Sequence, residues 1–449
     1  MEANMGLRDA DLRVGTDCAT DPDQEAQRPG GGDVMTGPLL VVGGGIAGFG
    51  LARALSLRGV SCTLVERHPA PSGAGLGLNL PGNAIGPLAA LGLGEEVVDR
   101  GMRIRRREYR NQAGRLLFAV DEEAFWSQVG PSVCLRRGDL LDILRASTPE
   151  LTPRWGTPLV LAEPVDDGVR IQLESGLTET YDFVAGADGV HSAVRGAVIP
   201  ADNPRRSLMT EASWRFTAPN PGVDGWTVWS GAQGTLLLIP VDNEHVYGYA
   251  STTRGGGAGD DPQWLARTFA GFAEPVPTTV AAVLGDPDRL YHSPVEEVRC
   301  ARWSRGRLVL IGDAAHATGP VWAQGAAMAL EDAIVLADLL AARPDWSSVG
   351  AEFERRRRPR ITHVQAATDK MSRLRGPARP AAGPGGAHGW PQGVPGGLRT
   401  VTHPGHPRRA RPARRQPAAA LSMEPPRPRS QLPPAWTSAR CQQRLRQHT

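Results

Sequence analysis

The stretch that decides the fold is LLVVGGGIAGFG, Leu39 to Gly50. Four apolar residues run straight into three glycines. A backbone this bare at the end of a strand allows close approach of a partner that is not protein. Extended to PLLVVGGGIAGFGLARALSLRGVSCTLVERH (38–68), the segment reads as strand, tight turn, helix and second strand. Gly43, Gly45 and Gly48 fill the GxGxxG spacing. In that spacing the first glycine permits the turn, the second lets the backbone meet a pyrophosphate, and the third lets the helix pack on the strand. Amides at the helix start and the positive end of its dipole then face the phosphates. The second strand ends in Glu66, eighteen residues past Gly48, where a carboxylate accepts hydrogen bonds from ribose hydroxyls. Together these features read as a dinucleotide site; the alternative is a glycine-rich turn with no ligand. The unit by itself leaves NAD and FAD open. Arg67, beside Glu66, suits a 2′-phosphate, an adenine face or open water equally.

Two later segments repeat the theme of a strand ending beside a carboxylate and a glycine. DFVAGADGVHSAVR (182–195) ends its strand at Asp188-Gly189 and opens a helix with Ser192 and Arg195. RLVLIGDAAHATGPVWAQGAAMALEDAIVLADLL (307–340) ends its strand at Gly312-Asp313, and a long helix begins near Gln324. Met328, Ile334, Leu336 and Leu339 mark the apolar side of that helix, and Glu331, Asp332 and Asp338 are expected on its wetter parts. With GxGxxG ahead of them, these motifs resemble, in order and spacing, the group A flavoprotein aromatic monooxygenases of the para-hydroxybenzoate and salicylate hydroxylase type. GAGLGLNLPGNAIGPLAALGL (73–93) resembles the family segment after the second strand. CLRRGDLLDIL (134–144) resembles the stretch whose arginine contacts the flavin nucleotide, by register Arg137 rather than Arg136. The resemblance spans about residues 38–375.

The resemblance implies an α/β fold, a Rossmann-like FAD-binding domain with an inserted antiparallel-sheet substrate domain. It implies FAD held by Gly43, Gly45, Gly48, Glu66, Arg67, Arg137, Asp188, Asp313, Gly325 and Ala326. Asp313 would bond the ribityl or ribose hydroxyls. The amides of Gly325 and Ala326 would point at the flavin pyrimidine edge, which gains negative charge on reduction. The chain departs from the family pattern where Ala323-Gln324-Gly325 replaces a common Gly-Gln-Gly, and where Ala327 replaces a common Asn. His316, in GDAAH, is expected to be structural or flavin-adjacent, with a direct acid/base role as the alternative. Asp188 reads as a nucleotide contact, a helix cap, or both.

Composition sets the bounds. The chain has 449 residues, 41% of them hydrophobic, enough for a large core. No window approaches the run of about 18 apolar residues that a membrane span needs. Cysteines 18, 62, 134, 300 and 441 are scattered without a CxxC pair, which suits a cytoplasmic protein with neither a zinc site nor a disulfide framework. Residues 377–449 hold twelve arginines and one glutamate, a balance of +11 against +3 for the whole chain, so the remainder carries −8. A body that acidic argues against nucleic-acid binding. Residues 1–34 show no periodicity and do not read as a signal peptide; they are expected to be a disordered extension ahead of a natural start at Met35. Residues 35–375 form the monooxygenase domain. The segment 376–449, rich in Pro, Arg, Gly and Ala, is expected to be disordered. The single lysine, Lys370, points to GC-rich coding, so a frameshift is as good an account of that tail as a genuine linker.

Within about residues 205–300, LMTEASWRFTAP, WTVWSG, GTLLLIPVDN and HVYGYASTTR alternate as antiparallel strands. Trp214, Trp229 and Tyr247 are candidate substrate-wall residues, against the plainer reading of core aromatics. Arg215 lies opposite Trp214 on its strand, so only one of them faces the site. EFERRRR (352–358) reads as a solvated helix face. No metal set, no GxSxG elbow and no second GxGxxG occur. The resemblance thus implies that NAD(P)H visits the flavin without a domain of its own, and that a flavin C4a-hydroperoxide formed with O2 hydroxylates an aromatic or polycyclic small molecule. The alternatives are a flavin-dependent reductase or dehydrogenase of the same fold, and an inactive flavin-fold protein. A halogenase is disfavoured, since WRF at Trp214 does not match WxWxIP and no lysine precedes Lys370.

Overall fold

The computed structural model describes residues 39–71, 76–199, 204–208, 210–253 and 258–374. The expectations for 1–34 and 376–449 fall outside these residues.

The first sheet follows from short, wholly apolar strands. Leu39–Val42, Phe183–Gly186 and Leu308–Leu310 are buried throughout, as strands covered on both faces must be. Leu39–Val42 lies between Thr63–Val65 and Phe183–Gly186, and Leu308–Leu310 follows beyond, all parallel. Ser304–Arg305 adds a short antiparallel edge. The helix Ile46–Ser56 springs from the glycine turn and packs against the helix Gly325–Ala341, where a Cβ on Gly50 would come 3.2 Å from Leu330. A Cβ on Gly48 would lie 1.9 Å from the Gly43 carbonyl oxygen, so only glycine lets the helix leave the strand at this angle. The helix Val349–Leu374 packs on Gly325–Ala341 in turn.

The second large element is a seven-stranded sheet. Its order is Leu290–Pro294, Ala212–Pro219, His245–Thr252, Gly234–Pro240, Trp226–Ser230, Arg106–Asn111, Leu116–Asp121. The pair Trp226–Ser230 and Arg106–Asn111 is parallel and the other pairs are antiparallel. The antiparallel sheet read from 205–300 therefore extends to two strands contributed from 106–121. One face packs on the helices Gln263–Phe269 and Val276–Leu284 through Trp214, Phe216, Trp229, Leu236, Leu238 and Val246. The other face, bearing Trp226, Val228, Leu237, Ile239 and Tyr247, meets Ile104, Cys134 and Ala323. The architecture is an α/β domain built on a mostly parallel five-stranded sheet, joined to a mostly antiparallel seven-stranded sheet.

Candidate active site

Parallel strands direct their carboxyl ends to one edge, and three segments far apart in sequence meet there. Gly43 donates its amide to the Val65 carbonyl at 2.8 Å, and Ala187 donates to Val42 at 2.7 Å. These bonds stack the glycine turn, the end of the second strand and the Asp188-Gly189 turn side by side. Gly43 has φ +109°, and a Cβ there would sit 2.5 Å from the Ala187 carbonyl oxygen. The resulting cleft of about 700 Å³ is lined by Gly43, Gly45, Glu66, Arg67, Arg137 and Asp188, with Phe49 and Trp155 among its apolar walls.

Each carboxylate has a defined state. Glu66 Oε2 accepts the Gly44 amide at 2.6 Å, and Oε1 accepts the His68 amide at 2.9 Å with the His68 ring 2.5 Å away. Burial would push its carboxyl up, but these bonds outweigh burial and hold it below the usual carboxylate range. Asp188 Oδ2 accepts the amides of Ala193 and Val194 at 2.8 and 3.2 Å and so caps the following helix, while the buried Oδ1 has no partner. Burial raises this carboxyl against those bonds. Ser192 completes the cap by accepting the Arg195 amide. Asp313 opens onto solvent at this edge, yet enough protein surrounds it to push its carboxyl up, with His316 and Arg137 pulling the other way. Arg67 and Arg137 are both exposed along the cleft. Arg136, one residue earlier, is drawn away to Asp242 at 2.5 Å.

These residues fit an FAD. A Cβ on Gly45 would meet no protein atom within 4 Å, so protein packing does not require a glycine there. The helices starting at Ile46 and Gly325 both lack a side-chain cap and an acidic first turn, leaving their amides to an outside acceptor. Gly325 lies close to Asp313, whose Oδ1 would be 3.9 Å from a Cβ at that position. Just before this helix, Ala323 takes φ +52° and ψ +32°, a left-handed conformation where glycine is ordinarily found.

Behind the site lies a buried polar network that the sequence did not reveal. Glu331 and Asp332 are not on a wet helix face, as expected above; Asp332 is 0% exposed. Asp332 Oδ2 accepts the Gly312 amide at 2.9 Å and lies 2.6 Å from His316 Nε2. Its Oδ1 accepts Arg357 Nε at 2.7 Å, and Arg357 Nη2 donates to Glu331 at 2.6 Å. Burial would raise the Asp332 carboxyl, but His316 and Arg357 hold it below its ordinary range. Arg360 bridges Glu331 and Gln324 at 3.3 Å each. Gln324 and Asn83 exchange two amide hydrogen bonds, at 2.9 and 3.0 Å. The EFERRRR segment is thus only half solvated. Arg355 and Arg356 bond Glu352 in the open, Arg357 is buried, and Arg358 lies over Trp303 at 4.4 Å. His316, 1% exposed, sits inside this network and against Trp303. The signal that could have exposed the network is the four- and three-residue spacing that places Arg357, Ile361 and Val364 on the inward side of the last helix.

The comparisons with known proteins agree with this geometry. A family model described as an FAD binding domain matches residues 36–368. The chain is 32% identical over 345 residues to a 2-heptyl-3-hydroxy-4(1H)-quinolone synthase of Pseudomonas aeruginosa, covering 75% of this chain and 89% of that protein. It is 31% identical over 354 residues to a 3-amino-4-hydroxybenzoate 2-monooxygenase of Streptomyces platensis, covering 75% and 87%. The chain belongs to the FAD-dependent aromatic monooxygenase family. Its fold superposes on Klebsiella pneumoniae HpxO complexed with FAD and uric acid with a TM-score of 0.69, at 26% identity, over 75% of this chain and 88% of that one.

In this monooxygenase the seven-stranded sheet faces the cofactor domain with an unexpected set of side chains. Trp214 and Trp229 turn away and pack among Phe269, Val276 and Val280. They are core aromatics, not substrate-wall residues, because strand alternation places them on the helix-covered side. Tyr247 is on the opposite side, against Val241 and close to Gly77, where a Cβ would come 2.3 Å from the Tyr247 Cβ. Of the three, Tyr247 alone reaches the face that meets Ala323. Among the described residues no group of three His, Cys, Asp or Glu side chains could hold a metal ion, and no helix is long and apolar enough to cross a membrane.

Proposed function

We propose that this monooxygenase uses NAD(P)H and O2 to hydroxylate an aromatic or polycyclic small molecule. The observation that carries the reading is the meeting of Glu66, Asp188 and the glycine turn in one cleft, with Asp313, close to Gly325, at the end of a parallel strand of the same sheet and an uncapped helix start beside each. Bound FAD would supply the exchange of electrons between NAD(P)H and O2. The amides at Gly45 and Ile46 would meet the pyrophosphate, Glu66 a ribose, and Arg137 and Asp313 the stretch towards the flavin ring. Gly325 and Ala326 would present helix-start amides to the ring edge that gains charge on reduction, a stabilisation of about 0.3–1 kcal/mol. Asp188 fixes its turn by capping the helix behind it.

The apolar cluster of Val228, Ile239, Val241, Leu237 and Ala323 on the side of the sheet turned to the cofactor domain would help to keep water from the reacting centre, which favours oxygen transfer over loss as peroxide. The relatives' names span a quinolone, an aminohydroxybenzoate and urate, so the property carried over is a planar aromatic ring. Purified protein should bind FAD stoichiometrically and couple NAD(P)H oxidation to O2 uptake when screened with aromatic acids and polycyclic phenols. Substrate turnover without O2 uptake would instead make it a reductase. Colourless protein that refuses added FAD would end the reading.

A further inference from the structure

Behind the helix Gly325–Ala341 lies a largely buried cluster of charges that reaches the residue where this helix begins. Arg357 is committed to two carboxylates: its Nε donates to Asp332 Oδ1 at 2.7 Å and its Nη2 to Glu331 Oε2 at 2.6 Å. Arg360, three residues on, is held by longer bonds. Its Nε reaches Glu331 Oε2 at 3.4 Å, and its Nη2 reaches Glu331 Oε1 at 3.3 Å. The same Nη2 donates to Gln324 Oε1 at 3.3 Å. Among the arginines and carboxylates of the cluster the count is two against two, so removing one group leaves an unbalanced charge. The Arg360 side chain is 12% exposed, and solvent screens a charge so placed only weakly.

Gln324 joins the cluster to the helix start. Its main-chain carbonyl accepts the Met328 amide and so opens the helix, yet its side chain caps nothing. Asn83 and Arg360 account for that. The Gln324 amide nitrogen donates to Asn83 Oδ1, and its Oε1 accepts from both Asn83 Nδ2 and Arg360. Held this way, the side-chain oxygen is kept from the amides of Gly325 and Ala326, which stay open to an outside acceptor. A guanidinium at the same time rests on the residue that precedes them. A flavin ring gains negative charge on reduction. A cation near its edge stabilises the reduced form more than the oxidised form and raises the reduction potential, and a carboxylate does the reverse.

We propose that Arg360 is a positioning residue for the flavin: it holds Gln324 clear of the helix start and, opposed by Glu331, sets the reduction potential of bound FAD. The proposal rests on the reading that places the flavin edge at Gly325 and Ala326. Arg360 acts through Gln324 and through its charge, favouring electron uptake from NAD(P)H.

The test uses the FAD-loaded full chain and reads the midpoint potential of bound FAD by equilibration with a reference dye. Arg360→Gln removes one positive charge and should lower the ratio of affinities for reduced over oxidised FAD about tenfold, a fall of about 30 mV for a two-electron couple. Glu331→Gln removes one negative charge from the same cluster and should raise that ratio by a similar factor. Arg360→Lys keeps the charge and should stay within about threefold of wild type. The opposed signs separate charge from packing, because a loosened helix start would move both glutamine variants the same way. Potentials that shift in the same direction overturn the proposal, as does an Arg360→Gln ratio within about twofold of wild type. If Arg360→Gln does not fold or load, Glu331→Gln decides alone: a raised potential supports the proposal, and a lowered or unchanged one overturns it. Wild-type protein that takes up no FAD ends the placement of the flavin and the proposal with it, whereas loaded proteins with equal potentials end the proposal alone.

Discussion

At the scale of single residues, glycines and their substitutes separate packing from ligand binding. Gly48 is required by protein, since a Cβ would strike the Gly43 carbonyl oxygen at 1.9 Å, whereas Gly45 has nothing near it. Gly45 also keeps an ordinary extended backbone, φ −89°. Gly45→Ala should therefore leave the thermal stability of the FAD-free protein within about 1 kcal/mol of wild type. FAD affinity should fall about tenfold or more, because the methyl group occupies the path of the pyrophosphate. A titration with FAD showing unchanged affinity would mean that the phosphate does not pass Gly45. Ala323 is the reverse case: an alanine in a left-handed conformation that suits glycine. Ala323→Gly should stabilise by about 0.5–1 kcal/mol, read as a rise in denaturation midpoint. A fall would show that the Cβ packing against the sheet outweighs backbone strain. The glycine spacing was fully legible in the sequence. The strain at Ala323 was visible only as a departure from Gly-Gln-Gly, with no sign of its conformational meaning.

At the scale of elements, the last helix braces both flavin-side turns from behind. Arg357 holds Asp332, which holds the Gly312 amide and His316; Arg360 reaches Gln324, which is locked to Asn83. Removing one partner of a buried pair leaves the other charge unpaired, at a cost of about 3–5 kcal/mol. Arg357→Met and Asp332→Asn should each destabilise by about that much in chemical denaturation. The pH dependence has a definite sign. The folded-state pKa of Asp332 lies below its unfolded value, so ionised Asp332 contributes its full stability above the usual carboxylate pKa of about 4. That contribution fades as pH falls through the depressed folded value. The stability gap between wild type and Asp332→Asn should thus narrow below about pH 4 and stay level above it. A gap that widens on acidification would refute the role given to the ionised carboxylate. Sequence periodicity missed this network because Glu331 and Asp332 look like solvent-facing residues until a second helix supplies arginines to meet them.

At the scale of the whole molecule, the described residues hold together three hydrophobic clusters, the three motif turns and the bracing helix, all between Leu39 and Leu374. We propose on that basis that residues 35–375 form a self-sufficient flavin-binding domain. A protein cut to those residues should take up FAD with the stoichiometry of the full chain and unfold in one cooperative transition. Loss of FAD uptake on removing the outer segments would show that they support the site.

The sequence by itself determined the nucleotide fold and the family. GxGxxG, Asp188-Gly189 and Gly312-Asp313 each encode a local event, a strand ending in a turn, and local geometry is written in neighbouring residues. Parallel pairing then forces the three turns to one edge. Only the tertiary structure decided which face of the antiparallel sheet meets the cofactor domain and what stands behind the flavin-side turns. Alternation divides strand residues into two sets without saying which set the helices from Gln263 to Leu284 will cover. That covering turns Trp214 inward to the core and leaves Arg215 on the other side. Likewise, whether Asp332 is wet or buried depends on an arginine twenty-five residues away that reaches it only once two helices have packed.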